Sequence, residues 1–355
     1  MIHTSDSFDQ ATPVCPVFGL CGGCQYQDIP YERELQLKAE VLRSALLPVP
    51  GFVEQKLFPV EPSPRVYHYR NRLDLKLLQR RDRKVYIGFS PVERGPVLEI
   101  TSCPIAMEQI SDFIPDLRRE AEARIPADYR MASLVVRCGD AAPVRWGGIG
   151  RKSTRLQDSE YLYTELLGRK VFYSLDTFFQ ANLSILPSLA GVLRSLPVWG
   201  EDKILYDLYG GVGFFGLMTN DLVRKVINIE ENEHSVRLAR YNLMHNKAGN
   251  LEVRQGRVED VFPALVAEAG LSRGILMVDP PRAGLSASAI ALLNETRGAD
   301  SLLYLSCSPQ SLARDLVLLE KQWDIAQVRP FDFFPRTRHI ETLVLLSSRS
   351  AVRST

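Results

Sequence analysis

The spacing of hydrophobic residues changes twice along the chain, and each change indicates a different kind of structure. Between residues 31 and 47, leucine and valine recur every three or four positions among Glu, Lys and Arg, which predicts an amphipathic helix that ends at Pro48. Residues 60–170 contain short runs in which apolar and polar positions alternate, as is typical of strands. The strands predicted here lie at residues 72–78, 85–89 and 133–137, and one at 171–174 leads into the last third.

From about residue 185, apolar runs alternate with helical patterns, and this order predicts a parallel sheet with helices on its faces. We predict its strands at residues 204–208, 225–230, 274–279 and 301–307. A last apolar run at 342–347 closes the sheet, and we expect it to run antiparallel at the sheet edge. The predicted units are an N-terminal loop and helix (1–60), a β-rich central domain (61–170) and an α/β domain (171–355).

Composition and charge narrow the class of protein. The 355 residues suffice for two or three domains, and a hydrophobic content of 45% supports packed cores. We find no apolar run of about 18 residues and no signal-peptide core, so we expect a cytoplasmic protein without a membrane span. The net charge of +1 excludes a uniformly basic nucleic-acid coat, but residues 65–84 hold eight Lys and Arg against two Asp. That local excess fits either contact with phosphates or a solvated hairpin.

Four cysteines form a pattern that predicts a metal site. Cys15, Cys21 and Cys24 follow the spacing C-x5-C-x2-C, and Cys103 lies downstream. In a reducing compartment such cysteines are more often ligands or catalysts than disulfides, and four gathered thiolates fit an iron–sulfur cluster or zinc. Zinc sites favour two close C-x2-C pairs, whereas only one pair here is that close, so the spacing favours the cluster. Cys138 is predicted to be a core residue.

A glycine-rich turn follows one of the predicted strands. The sequence Asp-Leu-Tyr-Gly-Gly-Val-Gly from Asp207 to Gly213 ends a strand and opens a probable helix, and Glu230 ends the next strand. Glycines allow close approach of a ligand, and an acid at that position can accept both ribose hydroxyls of an adenosine. The spacing is not that of a dinucleotide fingerprint and a P-loop lysine is absent, which favours S-adenosylmethionine. Many strand-to-helix turns are nonetheless glycine-rich without binding a nucleoside.

Three side chains at predicted strand ends suggest covalent chemistry on a pyrimidine. Asp279 begins Asp-Pro-Pro-Arg, Cys307 ends the next strand, and Glu341 precedes the last strand. Carbon-5 of uracil becomes nucleophilic once a thiolate adds to carbon-6, and a general base must then remove the carbon-5 proton. Cys307 is the candidate nucleophile and Glu341 the better candidate base than His339. Taken singly, Cys307 fits a small buried residue better and Glu341 an ordinary surface acid, whereas a turn aspartate is the less favoured interpretation of Asp279. The combination of the three with the glycine loop favours catalysis.

These motifs together resemble the bacterial RNA (uracil-5-)-methyltransferases, and among them the iron–sulfur-containing 23S ribosomal RNA enzymes. The resemblance runs from about Cys15 to Leu346. It is carried by the cysteine pattern and by five further motifs, namely Phe178-Phe-Gln-x-Asn182, Asp207-Leu-Tyr-Gly-Gly-Val-Gly213, Asp279-Pro-Pro-Arg282, Ser306-Cys-Ser-Pro309 and His339-Ile-Glu-Thr342.

The resemblance implies a class I S-adenosylmethionine methyltransferase (Rossmann-like) domain over 171–355. It implies that 5-methyluridine forms in 23S rRNA, with Cys307 as nucleophile and Glu341 as base. It further implies two sets of ligand residues: Gln180, Tyr209, Glu230 and Asp279 for S-adenosylmethionine, and Cys15, Cys21, Cys24 and Cys103 for a [4Fe–4S] cluster. Arg282 would help to hold the base or the backbone of the RNA.

The sequence also departs from the family pattern. The family often has Cys where Gly210 stands, and many relatives carry an N-terminal β-barrel RNA-binding module. Because 14 residues precede Cys15, we expect that module to be absent from the protein, which we expect to be a monomer. RNA contacts would then come from the cysteine loop (residues 15–30), the basic 65–84 hairpin and the catalytic face. The closest alternative is a tRNA uracil-5-methyltransferase, and the alternative from another class is a catalytically idle RNA-binding or ribosome-assembly factor. An RNA cytosine-5 methyltransferase would need a second cysteine where Arg282 stands.

Overall fold

The computed structural model describes residues 11–126, 128–140, 143–148, 157–269 and 273–349. Within these ranges the chain forms eight α-helices and fourteen strands. The helices are α1 (Tyr31–Leu46), α2 (Glu108–Arg124), α3 (Leu186–Ser195), α4 (Phe214–Thr219), α5 (Glu233–His245), α6 (Val258–Ala269), α7 (Ala287–Glu295) and α8 (Pro309–Leu319). The strands are β1 (Arg72–Gln79), β2 (Val85–Phe89), β3 (Leu98–Glu99), β4 (Met131–Arg137), β5 (Arg145–Gly148), β6 (Leu162–Leu166), β7 (Arg169–Tyr173), β8 (Gly200–Leu208), β9 (Val223–Glu230), β10 (Leu251–Gln255), β11 (Gly274–Val278), β12 (Ala299–Ser306), β13 (Trp323–Phe331) and β14 (Glu341–Ser348).

A seven-stranded sheet in the order β10-β9-β8-β11-β12-β14-β13 forms the C-terminal part of the described chain. Strands β8 to β12 run parallel, and β14 pairs antiparallel with both β12 and β13. The predicted α/β class, its parallel strands and its antiparallel last strand are confirmed. The edge position predicted for that last strand is wrong, because β13 covers it. Strand β13 contains Pro330 among several polar residues, a pattern that weakens a strand signal but is tolerated where one side of the strand is unpaired.

The central part of the chain is built on an antiparallel sheet with the strand order β3-β2-β1-β4-β5. Its inward residues, such as Leu73, Leu75 and Leu77, are buried against the apolar stripe of α2, as the period-two alternation predicts. Strand β7 pairs only with β6, and this two-stranded ribbon is fixed to α5 by Asn242, which accepts from Phe172 N at 2.7 Å and donates to Phe172 O at 3.0 Å.

The first helix belongs to the core of the seven-stranded sheet. Leu42 and Leu46 of α1 share a hydrophobic cluster with Leu312 of α8 and Val344 of β14. After α1, isolated bridges join Leu57 to Val328 and Glu61 to Phe331. These bridges attach the N-terminal segment to strand β13, about 270 positions further along the chain. The predicted domain boundaries stay a prediction. Within the described ranges, every helix is too short or too polar to cross a bilayer.

Candidate active site

The candidate catalytic residues lie where the strands of the seven-stranded sheet end. Strands β8, β11 and β12 are neighbours and parallel, so the residues that follow them share one edge. Asp279 follows β11 and Cys307 follows β12. This edge is where open α/β sheets bind ligands, because the strand order leaves a crevice there.

The glycine-rich turn after β8 has a backbone that requires glycine. Gly211 and Gly213 adopt positive φ angles of 53° and 83°. At Gly210 a Cβ would lie 1.8 Å from Nδ2 of Asn228, so the Asn228 amide fills the space of any larger residue. In this chain the Asn228 side chain therefore occupies the space that a larger residue at position 210 would need. Buried Asp207 accepts from Gly216 N and from Asn228 Nδ2, both at 3.3 Å, which fixes the turn against β9.

Glu230 and Tyr209 line a cavity beside this turn. One Glu230 oxygen accepts from Gly211 N at 3.0 Å and the other from Asn232 N at 2.7 Å. The cavity, of about 170 Å³, is also lined by Gly256, Arg257 and Glu259. These last residues lie between the end of β10 and the first turn of α6. They are absent from the predicted site because β10 was not predicted, although its alternating run Leu-Glu-Val-Arg-Gln is a strand signal.

Gln180 and Asp279 meet in the crevice. Gln180 Nε2 donates to Asp279 Oδ2 at 3.4 Å, and Asn71 donates to the Gln180 carbonyl at 3.3 Å. Burial, with added repulsion from Asp207, raises the pKa of Asp279 to about 7. The residues predicted to bind S-adenosylmethionine thus form two groups on either side of the glycine turn. Tyr209 lies with Glu230, and Gln180 lies with Asp279.

Cys307 and Glu341 lie at adjoining ends of an antiparallel strand pair. Ser306 of β12 is paired with Thr342 of β14, so Cys307, which follows Ser306, comes opposite Glu341, which precedes Thr342. Glu341 is only 5% exposed, whereas Cys307 is half-buried. Cys307 immediately precedes Ser308, the N-cap of α8, and the positive end of a helix dipole favours an anionic sulfur.

The electrostatics of the crevice couple these groups. Burial, followed by repulsion from Glu341 and Asp279, raises the pKa of Cys307 to about 11, while Arg282 opposes that rise. Burial and then Asp279 raise the pKa of Glu341 well above its usual value, again against Arg282. Burial and the cations Arg282 and Arg338 lower the pKa of His339 to about 4, so this histidine is neutral at pH 7 and a poor proton acceptor.

The comparisons with known proteins agree with this geometry. A family profile described as tRNA (Uracil-5-)-methyltransferase matches residues 149–349, more than half of the chain. The chain belongs to this family. It is therefore an RNA (uracil-5-)-methyltransferase.

Relatives match nearly the whole methyltransferase. An uncharacterized RNA methyltransferase of Thermotoga maritima is 28% identical over an alignment of 397 positions, covering 96% of this chain and 86% of the relative. The tRNA (uracil(54)-C(5))-methyltransferase of Schizosaccharomyces pombe is 28% identical over 367 positions, covering 98% of this chain and 68% of that protein. The crystal structure of Pyrococcus abyssi tRNA (uracil-54, C5)-methyltransferase, in complex with S-adenosyl-L-homocysteine, has the same fold, with a TM-score of 0.71 and 24% identity over 91% of this chain and 85% of that one.

The four predicted metal ligands of this methyltransferase line one cavity. Cys15, Cys21, Cys24 and Cys103 surround a space of about 150 Å³ next to the central sheet. Burial raises the pKa of Cys24 to about 12, and the other three thiols add to this rise by repulsion. The thiols therefore lie close enough to repel one another as anions. In the described ranges, however, no group of three or more His, Cys, Asp or Glu side chains is arranged closely enough to hold a metal ion, so the predicted cluster is not confirmed.

One further polar group in this cavity was missed by the sequence analysis. Gln27 is buried, its Oε1 accepts from Cys15 N at 3.0 Å, and its amide lowers the pKa of Cys24. Its Nε2 has no other protein partner within the described residues. An amide N–H directed at thiolates is a common outer contact of a thiolate-bound metal, so the chemistry of these side chains suits thiolate ligation. Cys138 lies elsewhere and is fully buried, as predicted.

Proposed function

We propose that this methyltransferase transfers a methyl group from S-adenosylmethionine to carbon-5 of a uridine in 23S rRNA. The observation that supports this proposal best is the position of Cys307 and Glu341, at adjoining ends of β12 and β14 and next to Asp279. A nucleophile and a base that face one crevice are the two groups that carbon-5 methylation requires.

Cys307 provides the first step in this proposal. Its thiolate attacks carbon-6 of the uracil, which turns the ring into an enolate with a nucleophilic carbon-5. Bound S-adenosylmethionine supplies an electrophilic methyl group. In the empty site the pKa of Cys307 is about 11, so the thiolate is scarce at pH 7, and the α8 dipole and Arg282 are the groups of this chain that favour it.

Glu341 provides the last step. Its carboxylate removes the carbon-5 proton, and the electrons of that bond expel the Cys307 sulfur from carbon-6 to give 5-methyluridine. Burial and Asp279 raise the pKa of Glu341, which makes its ionised form a stronger proton acceptor than an exposed carboxylate. Asp279, hydrogen-bonded to Gln180, fixes the side of the crevice next to the donor.

We propose that S-adenosylmethionine, the methyl donor, binds at the glycine turn. Glu230 and Tyr209 line a cavity that fits the ribose and adenine of a nucleoside, and Glu230 already holds the turn in shape through Gly211. Gln180 and Asp279 would meet the methionine end, next to Cys307. The S-adenosyl-L-homocysteine complex of the Pyrococcus abyssi protein supports a donor of this chemical class.

The basic hairpin between β1 and β2 is the proposed RNA contact outside the crevice. Arg80 and Lys84 lie over the ring of Tyr86, with their charged groups 4.6 and 5.2 Å from the ring centroid. Leu78 lies between Tyr86 and Met131 across the strands, and Met131 is 68% exposed. Tyr86 itself is half-buried. Cations around a partly exposed aromatic side chain suit a single-stranded RNA segment, because phosphates and bases can both be bound.

Three cysteines of the N-terminal loop and Cys103 of the central region would hold a [4Fe–4S] cluster by thiolate ligation. No electron transfer is required of it, because addition of Cys307 already activates the ring. Its role in this proposal is to tie the loop to the central sheet, where RNA passes. We further propose that the protein acts as a monomer in the cytoplasm.

A second candidate substrate is tRNA, since the Schizosaccharomyces pombe and Pyrococcus abyssi relatives are named for uracil-54 of tRNA. Incubation of the protein with labelled S-adenosylmethionine and either unmodified 23S rRNA or tRNA transcripts separates the two. We expect 5-methyluridine in the rRNA, mapped to one position. Methylation of tRNA alone would replace the rRNA proposal, and no methylation of either would leave the idle RNA-binding factor.

A further inference from the structure

Glu341, the proposed base, follows a connection between β13 and β14 that has little regular structure of its own. Between the end of β13 at Phe331 and the start of β14 at Glu341, the chain forms turns and bends. Glu341 begins β14 and pairs with Phe331, but the residues between the two strands depend on contacts from other parts of the chain. Glu61, Tyr69 and Asn182 hydrogen-bond to Asp332, Pro335 and Phe333, respectively. Two further supports come from the first 40 residues of the chain.

The first support is a buried ionic network on α1. Lys38 Nζ donates to Glu34 Oε1 at 2.7 Å, to Asp332 Oδ1 at 2.6 Å and to the Phe334 carbonyl at 3.1 Å, and all three charged side chains are fully buried. Tyr31 donates to the other Asp332 oxygen at 2.9 Å. Buried charges that are paired in this way fix geometry, because loss of any partner leaves an unpaired charge in the core.

The second support is the cysteine loop itself, which forms hydrogen bonds with Arg336. The Arg336 carbonyl accepts from Gln25 N at 2.8 Å and from Tyr26 N at 3.1 Å. Its guanidinium donates to the carbonyls of Tyr26 at 3.3 Å and Ile29 at 3.0 Å, and its backbone N donates to Glu34 at 2.7 Å. Arg336 is held at a positive φ of 66°, an unfavourable conformation for a side chain of this size that surrounding contacts must maintain.

Gln25, the residue after Cys24, joins the loop to the approach to Glu341. Its Oε1 accepts from Arg338 N at 3.3 Å, and its Nε2 donates to Gly22 O at 2.6 Å. Gly22 lies between Cys21 and Cys24, so a single side chain bridges the cysteine loop and a residue three positions before Glu341. The nucleophile has no such link, because Cys307 is held between β12 and the N-cap of α8.

We propose that Gln25 and Arg336 are positioning residues that make the cysteine loop a support for the Glu341 carboxylate. The proposal rests on the function proposed above, and it assigns the loop to one half of the reaction. A disturbed loop shifts Glu341 and slows proton removal and release of the product. Addition of Cys307 to the uridine and methyl transfer continue, since Cys307 lies between β12 and the N-cap of α8 and not in the connection that the loop holds.

Gln25→Ala tests this without removing a thiol or a buried charge, and Arg336→Lys is the second variant. Gln55→Ala, an exposed glutamine after α1, and Arg297→Lys, which donates to Asn294 O and Gln322 Oε1 far from the crevice, are the matched controls. Rapid quenching into denaturant measures formation and decay of the protein–RNA adduct. Hydrogen exchange of residues 332–340 reports on the support itself, with or without substrate.

For both variants we expect adduct formation within about twofold of the unsubstituted protein and adduct decay slowed about tenfold or more, since a misplaced base loses rate steeply with distance. Exchange of residues 332–340 should accelerate in these variants and not in the controls. The proposal is overturned if decay is unchanged, or if formation and decay slow by the same factor. If the unsubstituted protein itself forms neither adduct nor 5-methyluridine, then the proposed function has failed and not only this inference.

Discussion

At the scale of single residues, ordinary side chains acquire unusual properties from where they are placed. Glu341 is an acid with almost no exposed surface. Cys307 is a thiol whose pKa is raised by burial and by repulsion between its anion and two carboxylates. Neither property is visible in the residue type. They follow from one strand pairing, Ser306 with Thr342, which brings the two groups into the crevice that also contains Asp279.

Replacement of the proposed nucleophile should abolish the reaction entirely. In Cys307→Ala we expect no detectable turnover and no covalent complex, because carbon-5 of uracil is not nucleophilic without addition at carbon-6. Denaturing gels of protein mixed with 5-fluorouridine-containing RNA measure the complex. Cys138→Ala is the matched control, since Cys138 is a buried free thiol outside the crevice. A persistent covalent band in Cys307→Ala would assign the nucleophile to another residue.

Replacement of the proposed base should leave the covalent step intact and stop release of the methylated RNA. In Glu341→Gln we expect the methylated adduct to accumulate and its decay to slow by about 10²- to 10⁴-fold, the range for loss of a general base. The lifetime of the adduct, measured after a chase with unlabelled RNA, is the readout. Glu295→Gln, an exposed acid on α7, should behave as the unsubstituted protein does. Normal release from Glu341→Gln would remove Glu341 as the base.

The pH dependence should reflect the thiol. Since the pKa of Cys307 in the empty site is about 11, the thiolate fraction below that pH grows about tenfold per pH unit, and adduct formation should rise accordingly. A positively charged sulfonium donor should lower this pKa, whereas its neutral thioether product should lower it less. Thiolate absorbance of the protein minus that of Cys307→Ala measures the titration. A rate of adduct formation that stays flat from about pH 6 to pH 9 would contradict this assignment.

At the scale of secondary-structure elements, the turn between β8 and α4 shows how tightly one loop is packed. Positive φ angles at Gly211 and Gly213 and the Asn228 amide at Gly210 leave room only for backbone. The same turn is tied to the end of β9 by Glu230. Its shape and the proposed donor site therefore depend on each other.

A methyl group at Gly210 should damage both stability and donor binding. In Gly210→Ala the new Cβ would lie 1.8 Å from Asn228 Nδ2, so the turn or the buried Asn228 side chain that holds it must shift. Overpacking of this kind costs about 1–3 kcal/mol of the free energy of unfolding. Thermal unfolding and calorimetric titration with S-adenosylmethionine measure the two effects. Gly249→Ala, where a Cβ meets nothing within 4 Å, is the control. Unchanged donor affinity in folded Gly210→Ala would place the donor away from this turn.

At the scale of the whole molecule, the N-terminal segment connects three parts of the chain. It contributes three of the four thiols around the cysteine cavity, while Cys103 comes from the central region. It also packs α1 on α8 and holds the connection that leads to Glu341. Loss of the segment's structure should therefore affect folding and catalysis together.

Loss of one thiol should show whether the cavity holds a cluster. We expect Cys24→Ser to lose the brown colour and the bound iron and to become less soluble, because a thiolate ligand is removed from a structural site. Iron and sulfide analysis, the visible spectrum and thermal unfolding measure these effects, and Cys138→Ala should keep the iron. A soluble, folded Cys24→Ser protein that is free of iron and keeps full rRNA methylation would refute a role for the cluster.

The sequence by itself determined the local features of this protein. Strand and helix periodicity located α1, most of the strands and the parallel α/β class, since these patterns depend on neighbours within a few residues. The motifs at strand ends identified Asp279, Cys307 and Glu341, because open sheets bind ligands at the carboxyl ends of their strands.

Only the tertiary structure decided what depends on distant residues. The insertion of β14 between β12 and β13 sets which acid faces Cys307. The hydrogen bond between Gln25 and Arg338 joins residues more than 300 positions apart. The cavity lined by Arg257 and Glu259 depends on β10, a polar edge strand with a weak signal. Sheet order and long-range hydrogen bonds arise from the packing of the whole chain, so the periodicity of a short segment cannot specify them.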